Sequence, residues 1–118
     1  MGEVMAIRDT LRVNAAHLLK PGEVIQAVFS ATTTSGWLGP LVWISGYRVI
    51  LVTDRRILVC RSGRFTDGPV GDVIRKLPRN TRIGPAKGMW FRCETLGERL
   101  YIGQLFHKDI ADADALIA

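Results

Sequence analysis

The sequence predicts a mainly β domain, antiparallel in plan, with a helix at each end. Three observations predict it. Residues 47–64, YRVILVTDRRILVCRSGR, are two apolar runs rich in Val, Ile and Leu around a polar turn at 53–56, and β-branched side chains favour the pleated state. Residues 89–104 alternate apolar and polar side chains about Leu96-Gly97, the pattern of a hairpin with one wet face. Two segments of helical rather than strand periodicity, 3–19 and 106–118, bracket the rest.

The first helix carries Val4, Ile7, Leu11 and Leu18 at helical spacing, with Arg8, Asp9, Arg12 and Asn14 opposite. Lys20-Pro21-Gly22 ends it, because Pro21 disfavours a helical residue before it and Gly22 permits a turn. A strand follows at 24–33, VIQAVFSATT. Residues 34–46 then form an apolar connection holding Trp37, Leu38, Leu41, Val42, Trp43 and Ile44 between glycines and Pro40. Connections normally carry polar residues, so this one stands out; Leu41–Ile44 either belong to it or begin the next strand.

The central hairpin, 47–61, is apolar on both faces at Val49–Val52 and Ile57–Val59. An antiparallel pair with one wet face would alternate, so its outer face needs a cover: the first helix or a partner. Beyond it, 64–66 and 72–77 are short strand candidates, and 79–88 is turn-rich and free of acids. In the last hairpin a two-residue turn sets Glu94 opposite Arg99, Arg92 opposite Tyr101 and Trp90 opposite Gly103 on a polar face. Cys93 then faces Leu100, and Phe91 faces Ile102, on an apolar one. In the closing helix Phe106, Ile110, Ala113 and Ile117 share one stripe, and Asp109, Asp112 and Asp114 are expected on a solvated face.

At 118 residues the chain is read as one domain: helix 1–20, β-barrel 21–105, helix 106–118. The net charge of +5 and pI near 9.8 favour anionic partners such as lipid headgroups, nucleic acid or acidic proteins. Cys60 and Cys93 both fall in strand patterns, so they are expected to be reduced core residues in a reducing cytoplasm. The N-terminus carries Glu3, Arg8 and Asp9 with no long apolar run, unlike a secretory signal. Residues 24–47 lack charge, but SATTTSG at 30–36 and Pro40 argue against a membrane span.

Chemistry is sparse. His17 and His107 have no Cys or carboxylate at zinc-ligand spacing. The three tail aspartates lack the Gly and closing Glu of a calcium loop. No phosphate loop and no nucleophile motif occurs, so neither enzyme activity nor a cofactor is expected. Two features remain. Trp37, Leu38, Leu41 and Trp43 are candidates for a protein-binding or membrane-inserting surface. Arg75, Lys76, Arg79, Arg82 and Lys87, together with Arg48, are anion-binding candidates.

Leu19-Lys20-Pro21-Gly22-Glu23 before the first strand, and Val52-Thr53-Asp54-Arg55-Arg56-Ile57-Leu58 at the central turn, resemble small bacterial pleckstrin-homology (PH)-like domains from Pro21 onward. The resemblance implies a bent antiparallel sandwich or barrel of about seven strands, capped by the C-terminal helix, here with an extra N-terminal helix. Phosphoinositide-binding members place several Lys and Arg on the first two strands and their loop. Only Arg48 stands there in this chain, so that pocket is not carried over. The resulting expectation is a non-catalytic module that binds a protein partner, a membrane surface or another copy of itself. It would be cytoplasmic or peripheral at the inner membrane face. The alternative is nucleic-acid binding through the basic run at 75–87, with Trp90 and Tyr101 as stacking residues.

Overall fold

The computed structural model describes residues 2–33, 47–62 and 70–117. Helix α1 spans Gly2–Ala15 and runs into a 3-10 turn, Ala16–Leu18, before the Pro21-Gly22 corner. Six strands follow: β1 Ile25–Thr32, β2 Tyr47–Thr53, β3 Arg56–Ser62, β4 Val70–Pro78, β5 Trp90–Cys93 and β6 Leu100–Gly103. A second 3-10 turn, Gln104–Phe106, leads into α2, His107–Ala115. The strands form one antiparallel sheet in the order β4-β3-β2-β1-β6-β5, open between β4 and β5. The sequence expectation of a mainly β domain between two helices holds; six strands are described, and the 64–66 candidate lies outside the described residues.

The central strands are buried on consecutive residues, 27–32, 49–53 and 57–60, so both faces of the sheet are covered. Phe29 of β1 meets Phe106 at 6.5 Å between ring centroids, which puts α2 against one face. Val28 and Ser30, equally buried, point the other way. Helix α1 packs on β1 and on β4 and therefore crosses the hairpin between them, supplying the cover that hairpin required. Its Leu11 and Ala15 are fully buried while Val13 faces water. The core joins these to Ile50, Leu51, Ile57, Leu58, Leu100, Ile102 and Ile110. Taking each large apolar side chain out of water is worth roughly 1.5–3 kcal/mol.

The last hairpin has the register the pattern predicts, with Trp90 opposite Gly103, Phe91 opposite Ile102, Arg92 opposite Tyr101 and Cys93 opposite Leu100. Gly97 takes φ +91 in its turn, a value L side chains avoid. Cys93, Leu100 and Ile102 are buried; Phe91 is half-buried, edge-on to His107. Cys60 and Cys93 are free and buried.

Two tail aspartates overturn the expectation of a solvated face. Asp112 is exposed, but Asp109 and Asp114 are each only 8% accessible. Asp114 Oδ1 accepts from the Ile83 amide at 2.9 Å and Oδ2 from the Gly84 amide at 2.8 Å. The helix turns toward the 82–86 segment there, and backbone N–H groups replace water around the carboxylate. Those donors lie some thirty residues earlier, so helical periodicity alone could not reveal them.

Candidate functional site

Antiparallel alternation gathers the β1–β2, β3–β4 and β5–β6 connections at one end of the sheet. Thr32 pairs with both Tyr47 and Tyr101, which fixes where β1, β2 and β6 reach that end. The β5–β6 turn bends over this end until Glu98 reaches β2 and β4. Arg48 Nε donates to Glu98 Oε2 at 3.1 Å, and Arg75 Nη1 donates to the same oxygen at 2.6 Å. Arg75 stands on β4 and Glu98 beside β6, elements separated in the strand order by β3, β2 and β1. One carboxylate touching both ends of that span means that the sheet is strongly curled. Leu96, fully buried beneath the turn, anchors the bend.

A second carboxylate on the same turn repeats the arrangement. Glu94 Oε1 lies 3.6 Å from Arg92 Nε and 3.4 Å from Arg99 Nε, and all three side chains are more than half exposed. A fifth cation, Arg61, is exposed and sits directly opposite Arg48 in the β2–β3 ladder. Like charges placed opposite one another are unfavourable, and among the described residues no carboxylate pairs with Arg61. This end of the sheet thus sets five arginines against Glu94, Glu98 and, on β4 across the bulge from Arg61, the exposed Asp72.

The candidates from sequence separate. Trp37, Leu38, Leu41 and Trp43 lie outside the described residues. Arg48 and Arg75 join at Glu98. Arg79 is spent inside the fold, donating from Nε to Gln26 Oε1 and from Nη2 to the Ala113 carbonyl, both at 2.8 Å. Lys76 and Lys87 are exposed, and Arg82, 64% exposed, stands 3.9 Å from Asp114. The basic run is therefore divided among an ion pair, a structural tether and scattered surface charges. Arg61, Arg92 and Arg99 were not among the anion-binding candidates read from sequence. The hairpin register did signal Glu94 against Arg99, but Glu98 lies 50 residues from Arg48 and 23 from Arg75, beyond any local pattern.

The opposite end of the sheet is a polar lock. Glu23, its side chain fully buried, accepts from Arg56 Nε at 2.9 Å, Arg56 Nη2 at 3.0 Å, Thr53 Oγ1 at 2.6 Å and the Lys20 amide at 2.9 Å. The Arg56 hydrogen bonds outweigh burial and, with Thr53 and Lys20, hold the carboxyl at about 2, below its usual 4.5. Asp54 Oδ1 accepts from the Val24 amide, and the Asp54 amide donates to the Val24 carbonyl. These are the residues that carry the PH-like resemblance, and here they bind one another.

Burial pushes the Cys60 thiol up to about 11, so it stays protonated at neutral pH and is a poor nucleophile. Among the described residues no group of three or more His, Cys, Asp and Glu side chains is placed to hold a metal ion. No described helix is long and apolar enough to cross a membrane. A shallow depression of 530 Å³ runs along α2 between His107, Ala111 and Ala115 on one side and Arg82, Pro85 and Ala86 on the other. Comparison with known protein families, curated proteins and solved structures finds no match.

Proposed function

We propose that the chain is a non-catalytic, PH-like binding module that presents the end of the sheet bearing residues 34–46 to a protein partner or a membrane surface, self-association included. The observation that carries this reading is the contrast between the two ends. At the Glu23–Arg56 end polar groups satisfy one another inside the protein. At the other, arginines outnumber acids, and the chain leaves Thr33 into its most apolar connection, with two tryptophans, and returns at Tyr47. Arginines in excess of acids beside an apolar connection suit binding, whereas catalysis needs convergent titratable groups. The order helix, antiparallel strands, helix, the curled sheet and α2 packed against one face all support the PH-like reading. The experiment is Trp37→Ser with Leu38→Ser. The double variant should fold as wild type does while self-association, measured by sedimentation, or vesicle binding falls. Unfolding of the variant would make these residues core and end the reading, as would a wild-type protein that binds neither itself, nor vesicles, nor a host protein.

A further inference from the structure

We draw no further inference here: the strongest candidate, the shallow apolar depression along α2 between Ala111 and Ala115 on one side and Pro85 and Ala86 on the other, carries none because nothing in the structure shows what covers it.

Discussion

The Glu23 carboxylate and the Arg56 guanidinium meet as a two-pronged pair, Nε to Oε2 at 2.9 Å and Nη2 to Oε1 at 3.0 Å, with none of the glutamate side chain exposed. Arg56 Nη2 also donates to the Leu18 carbonyl, so one guanidinium joins the turn after α1, the corner before β1 and the β2–β3 hairpin. Thr53 Oγ1 completes the node, donating to Glu23 and accepting from the Arg55 and Arg56 amides. Parallel bonds of this geometry are specific to arginine; lysine cannot make both.

Glu23→Gln removes the charge and strands Arg56. Breaking such a pair from one side costs roughly 3 kcal/mol, read as a lower urea midpoint. The pH dependence has a definite sign. Because the folded carboxyl sits at about 2, below its usual 4.5, its contribution is fully present above pH 4.5 and is lost as pH falls toward 2. Wild type should lose stability across that window more steeply than Glu23→Gln. Parallel curves would show that the pair does not set the acid limb.

Much of this fold was legible because its signals are local. The β5–β6 register followed from a two-residue turn and one aromatic set over a glycine, and Trp90 does lie over Gly103. The need to cover the central hairpin followed from its consecutive apolar residues. The sites were less legible because their partners are distant. Glu98 looks like an ordinary turn residue until the sheet curls, and Arg79 looks like one more surface cation until it reaches Gln26 and Ala113. The segments 19–23 and 52–58 were visible as turns, and in the structure they act as turns, locked through Glu23.

Asp114 and Asp112 should behave oppositely although both lie on α2. Asp114→Ala removes the acceptor for two backbone amides, at 2.9 and 2.8 Å. Leaving such donors unsatisfied costs roughly 1–3 kcal/mol. Asp112 makes only an exposed i,i+4 pair with Lys108, and Asp112→Ala should stay within about 0.5 kcal/mol of wild type. Amide hydrogen exchange at Ile83 and Gly84 should accelerate in the first variant only.

Gly84 is required by space. A Cβ there would stand 2.7 Å from the Ala86 amide nitrogen and 2.9 Å from Ile110 Cγ2. Gly84→Ala should cost roughly 1–3 kcal/mol as the 82–86 segment is pushed off α2. At Gly103 a Cβ would meet the Trp90 ring at 3.5 Å or more, an ordinary contact, and Gly103→Ala should be nearly neutral. Equal thermal shifts in the two variants would show that close packing at Gly84 is not what matters.

Arg79 and Arg82 separate structure from nucleic-acid binding in the basic run. Arg79 ties β1 to the C-terminal half of α2 through Gln26 and the Ala113 carbonyl, whereas Arg82 is 64% exposed. Charge-assisted bonds of this kind contribute roughly 1.5–3 kcal/mol, so Arg79→Ala should lower the unfolding midpoint and Arg82→Ala should not. A nucleic-acid surface predicts something different: both substitutions would weaken binding of a labelled single strand alike, each reducing its salt dependence. With Arg79 tied to Gln26 and the Ala113 carbonyl and Arg75 paired with Glu98, the run has too few free cations for that. Binding to a single-stranded oligonucleotide should be no tighter than about 1 μM at physiological salt, the non-specific level. A salt-resistant complex well below that, lost equally in the two variants, would move the functional surface from the β5–β6 end to this run.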